Sequence, residues 1–504
     1  MAQSSTSATI DISKHANVDR LQSKAIGLIG VLFLTVTGAA PMSAMLGNAP
    51  FAAGYGIGVH TPAAFLLATI VLTLFSVGYA AMASKVSTVG GFYSFISQGL
   101  GREIGMSAGL TSLVCYSIFE SSLYGLFAFF GNAWLKSHFG IDVGWLWLAM
   151  LALICAGLLS YREVKLSVRV LGVALVAEVL MLAIFALGVI FAKTGTNFSL
   201  EALNVFNVTV PVAAQKVGTV DIPAGAAAVG IFMAFWSWVG FEMAPNYAEE
   251  SRDPKSVVPK SLYYSVIGLG IFYTIVSWCA VSAYPTEGDM LAKAFGDSGN
   301  FFLAPLQQFV GNWAYELMSL LILTSSFACG MAFHNTASRY MYSLGREGIL
   351  PGVLGDTHDS FKSPHKASLV QSVFAALWIV LFGLFNGFND PNAQAYLGIY
   401  TLFAVLGTGL LLVLQAVVSL AIIRYFQRNG GGNMFSTMIA PAISFVVQLV
   451  LVWMLISNLA TLGGQVWLIW VGAAVIVIGL IWGFALKSIN PAGYANIGHM
   501  VNED

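Results

Sequence analysis

The sequence predicts an all-α polytopic membrane protein with about twelve transmembrane helices, and three observations support this fold class. Hydrophobic residues make up 58% of the 504 residues and charged residues only 9%, whereas an ordinary soluble domain carries about 25% charged residues. Apolar runs of about 20 residues, long enough to cross the hydrocarbon core, recur along the whole chain. These runs are continuous rather than alternating, which excludes the strands of a β-barrel.

The apolar runs give twelve predicted spans, separated by short polar segments. The spans lie near residues 25–50, 62–84, 104–135, 144–160, 167–192, 226–248, 261–284, 313–343, 367–386, 396–426, 437–458 and 466–486. The predicted division of the chain is a tail at 1–21, spans 1–5 at 22–192, a loop at 193–225, spans 6–10 at 226–428, spans 11 and 12 at 429–487, and a tail at 488–504. No polar segment is long enough to form a soluble domain.

The distribution of basic residues predicts the orientation. If both termini are cytoplasmic, 18 of the 22 lysines and arginines fall on the cytoplasmic side of the predicted spans, as the positive-inside rule requires. An odd number of spans would destroy this partition. We therefore expect a multi-pass protein of the plasma (cell inner) membrane, with the loop at 193–225 outside. The net charge of −1 gives no support for nucleic-acid binding.

Neither the cysteines nor the histidines suggest a metal site or a catalytic site. The four cysteines lie inside apolar runs and the seven histidines are scattered, so no ligand spacing and no clustered nucleophile is visible. We expect no cofactor, no metal and no enzymatic activity. A channel would need a filter sequence or a continuous polar pore, and neither is present. A sensor that binds a ligand without moving it stays open as an alternative.

Two predicted spans contain helix-breaking residues. Span 1 carries Pro41 within residues 37–44, and span 6 carries Gly240 and then Pro245. Proline lacks an N–H and clashes with the preceding turn of a helix. Spans 1 and 6 are also the first helices of two possible five-helix repeats, and interrupted spans at matching positions indicate a transporter binding site.

Three glutamates lie inside spans that contain no deep lysine or arginine. They are Glu120 in span 3, Glu178 in span 5 and Glu242 in span 6. An ionisable group in the membrane interior is unfavourable by about 2.5–3.5 kcal/mol on insertion scales, so each needs a reason. Two explanations stay open: the carboxyl groups are protonated, or they meet a cation that is a substrate or a coupling ion. A third explanation is that each glutamate is neutral and only forms hydrogen bonds between helices. His334, near the inner end of span 8, is interpreted as a structural hydrogen-bonding residue.

An aromatic residue adjoins the predicted break of span 6. Trp236 lies immediately before Ser237 and close to Gly240. The face of an indole ring attracts organic cations with about 0.5–2 kcal/mol. Trp236 is therefore a candidate for stacking on a cationic ligand.

Several short segments together resemble the amino acid–polyamine–organocation permeases over nearly the whole chain. Residues 87–93 read Ser-Thr-Val-Gly-Gly-Phe-Tyr, similar to the family's Gly-Gly-x-Tyr stretch. Residues 249–254 read Glu-Glu-Ser-Arg-Asp-Pro, followed by Pro259. Residues 335–339 read Asn-Thr-Ala-Ser-Arg, followed at 343–351 by Ser-Leu-Gly-Arg-Glu-Gly-Ile-Leu-Pro. Each motif is short, but their order and their common predicted side make the resemblance specific.

The resemblance implies a LeuT-type fold, in which two inverted repeats of five helices are followed by two additional helices. It also implies a substrate site between the breaks of spans 1 and 6, lined by spans 3 and 8. The residues expected there are Gly38, Ala39, Ala40, Pro41, Ser43, Glu120, Phe235, Trp236, Ser237 and Gly240. The segment from Trp236 to Glu242 is similar to the arginine–agmatine antiporter pattern. This similarity implies stacking on the substrate for Trp236 and proton-responsive gating for Glu242.

Two positions depart from the family pattern. Glu178 falls where some proton-coupled relatives carry a lysine that replaces sodium, so a proton-titrating role is one option for it. The Gly-Ser-Gly of many relatives is replaced by Met-Ser-Ala at 42–44, after Pro41. This change weakens the expected binding of a substrate carboxylate. Some putrescine-type permeases resemble the Pro-Met-Ser version.

These observations predict a secondary active transporter for small amines or amino acids, and they favour cationic amines, polyamines or cationic amino acids. Transport is expected to be coupled to protons and to proceed by alternating access. Glu178 and Glu242 are the candidates for proton coupling, and Glu120 is the candidate for pairing with the substrate ammonium group. Sodium is the less favoured coupling ion, although Ser325 and Ser326 carry hydroxyl oxygens. An exchanger of an amino acid for an amine is the nearest alternative.

Overall fold

The computed structural model describes residues 26–86, 90–161, 164–192, 198–386, 394–459 and 466–498. The predicted tail at 1–21 lies outside the described residues, as do parts of the loop at 193–225 and of the tail at 488–504. The helices of the first half are α1 (Leu28–Ala39), α2 (Pro41–Ser43), α3 (Ala49–Ala52), α4 (Thr61–Ala83), α5 (Gly91–Leu100), α6 (Arg102–Phe139), α7 (Trp145–Ser160) and α8 (Val164–Ala192). Two π-helical segments, Ala44–Asn48 and Ala53–Ile57, continue the chain after α2 and α3.

The second half is also helical. Its helices are α9 (Ala227–Trp236), α10 (Pro254–Ser282), α11 (Glu287–Gly296), α12 (Leu303–Phe309), α13 (Asn312–Arg346), α14 (His365–Asn386), α15 (Thr401–Asn429), α16 (Ala440–Ser457), α17 (Trp467–Ile489) and α18 (Pro491–Asn496). A 3₁₀ segment, Phe241–Tyr247, follows α9, and a π-helical segment, Gln394–Tyr400, precedes α15. The loop between α8 and α9 contains an antiparallel hairpin of β1 (Gln215–Val217) and β2 (Val220–Ile222).

Ten helical stretches of the described chain are long and apolar enough to cross a membrane. The first of them, Leu28–Ala83, contains both predicted spans 1 and 2, while predicted span 4 corresponds to the shorter helix α7. The all-α polytopic membrane fold is therefore confirmed. The count of twelve crossings and the division into two five-helix repeats stay predictions.

The helices differ in how much of their surface faces outward. On α17, Trp470, Ile481 and Phe484 are 62–70% exposed, as expected for a helix that meets lipid. On α6, by contrast, Ser117 and Glu120 are fully buried. The apolar helices thus surround central helices that are more polar, because lipid rather than water is the solvent outside.

The two described ends of the chain lie on the same face of the molecule. The Ile26 amide donates to the Glu250 carbonyl at 3.0 Å, and the Gly498 amide donates to the Tyr93 hydroxyl at 3.1 Å. We call this the terminal face. The long helix α6 runs from the terminal face to the opposite face, because Glu103 at its start accepts a hydrogen bond from Tyr494 of α18.

Candidate functional site

The helix of span 1 is interrupted at Ala40, as predicted. Ala40 has φ 42° and ψ 77° and ends α1, and Pro41 is the first residue of α2. A residue that precedes proline is disfavoured in the α-helical region, whereas proline is well suited to the first position of a helix. Pro41 therefore ends one helix and begins the next. The carbonyls at the end of α1 find partners elsewhere: Cys329 Sγ donates to Gly38 O and the Tyr273 hydroxyl donates to Ala39 O.

Side chains of two other helices surround the start of α2. The Ser43 amide donates to Ser325 Oγ at 3.2 Å, and the two serine hydroxyls lie 3.0 Å apart. The carboxyl group of Glu178 of α8 faces the Met42 backbone and the Ser325 side chain. A carboxyl group in this position is favoured by the partial positive charge at the start of a helix. Glu178 is thus located directly at the break of span 1.

The helix of span 6 is interrupted after Trp236. The chain leaves α9 through a short turn to Gly240, which has φ +119°, and continues as the 3₁₀ segment. Glu242 follows the break and is 1% exposed. One of its carboxyl oxygens accepts from the Gly240 amide at 2.9 Å and the other from the Tyr116 hydroxyl at 3.0 Å. Glu242 therefore connects the break of span 6 to α6.

The two breaks meet in the centre of the molecule, and a small cavity of about 20 Å³ lies at their junction. This volume holds about one water molecule. The cavity is lined by Gly38, Ala39, Ala40, Ser43, Ala44, Asn48, Leu123, Trp236, Ser237, Val239, Cys329, Phe333 and Tyr400. It is contributed by spans 1, 3, 6, 8 and 10.

Six of the ten expected substrate-site residues line this cavity. They are Gly38, Ala39, Ala40, Ser43, Trp236 and Ser237. Pro41 and Gly240 shape the breaks but do not line the cavity. Phe235 lines a different apolar space, between α4, α9 and α15. Glu120, the fourth residue outside the lining, has a separate environment.

Glu120 is hydrogen-bonded to side chains of α13 and α14. Its carboxyl group lies 2.8 Å from His334 Nδ1 and accepts from Gln371 Nε2 at 2.7 Å. His334 Nε2 in turn lies 2.9 Å from Ser368 Oγ. Glu120 and His334 are fully buried. Glu120 therefore has a potentially basic partner that the sequence did not reveal, and contact with a substrate would require these bonds to break.

Sequence reasoning missed two polar residues of the cavity, Asn48 and Tyr400. The Tyr400 hydroxyl donates to Asn48 Oδ1 at 2.7 Å, and Asn48 Nδ2 donates to Ser237 Oγ at 2.9 Å. We call this chain of bonds the Asn48 bridge. The rings of Tyr400 and Trp236 also touch, with centroids 4.5 Å apart. An asparagine inside an apolar span was a usable signal for Asn48, whereas nothing in the sequence distinguishes Tyr400 from other tyrosines.

The motifs that carried the resemblance come together on the terminal face. Arg339 Nη2 donates to both carboxyl oxygens of Glu250, at 3.1 and 3.0 Å. Arg346 lies 3.5 Å from Glu249. The Tyr93 hydroxyl is hydrogen-bonded to the carboxyl group of Glu347. Residues 87–89 of the first motif lie outside the described residues.

Comparison with known proteins identifies one family and several transport proteins that this chain resembles. A profile of the family described as "Amino acid permease" matches residues 26–485. The chain is 22% identical to the low-affinity putrescine importer PlaP of Escherichia coli over 64% of its length and 67% of that protein. It is 24% identical to the branched-chain amino acid permease BcaP of Bacillus subtilis (69% and 72% covered). It is 21% identical to the aspartate-proton symporter of Bacillus subtilis (67% and 64% covered).

The family match covers nearly all of the described helices, including both interrupted spans and the cavity between them. The assignment as a transport protein rather than an enzyme, which the sequence predicted, is confirmed by this match. The chain belongs to the amino acid permease family.

Proposed function

We propose that the protein is a secondary active transporter of small cationic amines or cationic amino acids, with the central cavity as its substrate site. The relatives are named for a diamine, for branched-chain amino acids and for aspartate. Their names therefore do not select one substrate class. The choice rests on the chemistry of the groups that surround the cavity in this chain.

The observation that carries the proposal is the occupation of the amides at the start of α2. An anion is favourably bound by free N–H groups at a helix N-terminus. Here Pro41 has no N–H, the Ser43 amide donates to Ser325 Oγ, and the carboxyl group of Glu178 faces the Met42 backbone. The groups best placed to hold a substrate carboxylate already have protein partners.

The rest of the cavity favours a positive charge. Gly38, Ala39 and Ala40 form the carboxyl end of α1, and Trp236 forms the carboxyl end of α9. The carboxyl end of a helix carries about half a negative elementary charge. Trp236 and Tyr400 add aromatic rings that attract cations. An ammonium group is the ligand that both features suit.

Glu178 and Glu242 are proposed to couple transport to protons. Each carboxyl group lies against the backbone at one of the two breaks, so its protonation removes a negative charge from that break. Protonation would therefore change the relative stability of the closed arrangement in both spans. A proton is the preferred coupling ion over sodium because the hydroxyl groups of the two candidate sodium ligands already have partners: Ser325 bonds Ser43, and Ser326 donates to Ile322 O.

Alternating access then requires the cavity to open in turn toward each face. The Asn48 bridge joins spans 1, 6 and 10 on the side away from the terminal face. Glu242 and the Arg339–Glu250 pair join spans on the side of the terminal face. Breaking one set of contacts while the other holds would expose the cavity to one side only. We further propose that the terminal face is cytoplasmic and that the membrane is the plasma membrane.

Uptake into proteoliposomes tests the proposal. Labelled putrescine, arginine, lysine, alanine and glutamate are compared with and without an inward proton gradient. We expect gradient-stimulated uptake of the cations and none of glutamate. Uptake of glutamate or alanine in preference to the cations would overturn the proposed substrate class. Uptake that needs a preloaded internal substrate would instead establish an exchanger, and binding without uptake would establish a sensor.

A further inference from the structure

A second and larger cavity opens on the face opposite the terminal face. Its volume is about 460 Å³, against about 20 Å³ for the central cavity. Its walls come from the far ends of α6 and α13, the loop after α11, and the segments around Tyr55 and Tyr396. We call it the vestibule.

The floor of the vestibule is aromatic. The rings of Phe129 and Tyr396 are stacked at 4.7 Å, and those of Tyr55 and Phe295 lie 4.8 Å apart. All four side chains line the cavity. Rings contributed by four separate segments around one space form the kind of environment that binds organic ammonium ions.

Acidic and polar groups complete the vestibule wall. Asp297 lines the cavity beside Asn300, whose amide donates to both of its carboxyl oxygens at 3.0 and 3.1 Å. Lys293 lies 3.0 Å from Asp297, and both side chains are partly exposed, by 33% and 46%. Because such a pair in contact with water is weak, an incoming ammonium group can compete with Lys293. A second acid, Glu316, is bonded to His138, which also lines the cavity.

One aromatic layer separates the vestibule from the central cavity. Tyr396 lines the vestibule, Tyr400 lines the central cavity, and their rings are stacked with centroids 5.7 Å apart. The Tyr396 hydroxyl donates to Gly47 O at 2.7 Å, one residue before Asn48. A ligand held on the vestibule floor would therefore touch the segment that closes the central cavity.

We propose that the vestibule is a second binding site for organic ammonium ions, formed by the Phe129–Tyr396 and Tyr55–Phe295 rings with Asp297 as the counter-charge. It holds the substrate amine before the Asn48 bridge opens. The identity of the ligand as a transported amine rests on the proposed function, whereas binding of an ammonium ion as such does not.

Binding of radiolabelled tetramethylammonium to the purified full-length protein tests this inference without any transport step. This ion does not fit the closed central cavity of about 20 Å³, and the Trp236→Leu variant reports any binding in an opened one. We expect one saturable site per chain. Phe129→Ala and Asp297→Asn should weaken binding about twofold to fivefold, the range of one partly exposed cation–π or ionic contact. Lys293→Ala should strengthen it, because it frees Asp297.

Trp236→Leu separates this inference from the proposed function. It alters the central cavity and should abolish amine uptake while leaving tetramethylammonium binding unchanged. Absence of saturable binding, or a binding affinity that neither Phe129→Ala nor Asp297→Asn lowers, would overturn the vestibule site. If Asp297→Asn fails to fold, Lys293→Ala still tests the role of the Asp297 carboxylate. Stronger binding in Lys293→Ala would support this role, and unchanged binding would contradict it. Failure of uptake in the wild-type protein would affect only the proposed function.

Discussion

The backbones of Gly38 and Gly240 pack directly against each other where the two interrupted helices meet. A Cβ atom on Gly38 would lie 3.3 Å from Gly240 Cα, and one on Gly240 would lie 2.7 Å from the Ala39 nitrogen. The contact brings the end of α1 and the turn after α9 together and leaves the small cavity beside them. The geometry of the site therefore depends on glycine at positions 38 and 240, because side chains there would hold the two backbone segments apart.

Gly240→Ala is expected to destabilise the protein and abolish uptake. Alanine at φ +119° is strained by about 1–3 kcal/mol, and its Cβ would collide with backbone atoms that cannot turn away. Gly38→Ala should be milder, because the nearest atom to its Cβ is the flexible end of Met243. Thermal stability in detergent and uptake in proteoliposomes are the measurements.

Gly268→Ala is the matched control for these glycine variants. Gly268 lies on an outward face of α10 with no atom within 4 Å of an added Cβ, so alanine there should be neutral or slightly stabilising. A Gly240→Ala protein that is as stable and active as Gly268→Ala would contradict the close packing of the two breaks.

Tyr400→Phe is expected to open the cavity more often toward the vestibule. Removing the hydroxyl leaves Asn48 Oδ1 without its donor, and an unsatisfied buried polar group is unfavourable by about 1–3 kcal/mol. Cys329 lines the cavity, so its alkylation by a membrane-impermeant thiol reagent reports opening. We expect alkylation at least about fivefold faster in Tyr400→Phe.

The thiol experiment has two controls. Cys329→Ala identifies the part of the signal that comes from Cys329. The other three cysteines are Cys115 and Cys279, which are buried, and Cys155, which is partly exposed. Tyr425→Phe removes a hydroxyl from α15, the helix that begins directly after Tyr400, at a position outside the cavity lining, and should react as the wild type does. Equal alkylation rates in Tyr400→Phe and Tyr425→Phe would show that the Asn48 bridge does not close the cavity.

Glu120→Gln is expected to lower stability without changing the apparent affinity for amines. The structure bonds Glu120 to His334 and Gln371 rather than placing it in the cavity, so its loss should weaken the contact between α6, α13 and α14. His334→Gln removes the other partner and should have a similar effect. The measurements are thermal stability and the KM for putrescine uptake. A tenfold rise in KM for Glu120→Gln alone would instead support direct pairing with the substrate.

The sequence was sufficient for the fold class and for the position of both breaks. Pro41 and Gly240 act through local backbone geometry, so their effects are visible in the sequence itself, whereas Pro245 lies within the 3₁₀ segment and does not interrupt it. The partners of Glu120 were not predictable, because they depend on which way the side chains of α6, α13 and α14 point, and His334 is 214 residues away. The sequence does not indicate the short helix α5 or the hairpin of β1 and β2, because neither is an apolar run long enough to cross a membrane.

Glu178→Gln is expected to remove the dependence of uptake on the proton gradient while the protein still folds. Glutamine keeps a carbonyl oxygen that can accept from the Met42 amide, but it cannot change protonation between the two states of the transporter. Amine uptake driven by an inward proton gradient should fall by an order of magnitude or more, whereas exchange of internal for external amine should continue.

Glu242→Gln tests the second break in the same assay. If both carboxyl groups take part in coupling, each variant should lose gradient stimulation. If only one does, the other variant should keep it.

Glu201→Gln, in the exposed loop before α9, makes the same chemical change away from both breaks and should behave as the wild type does. Gradient-stimulated uptake that persists when Glu178 and Glu242 are both replaced would rule out proton coupling through these carboxyl groups, because neither carboxyl group would then be present at a break.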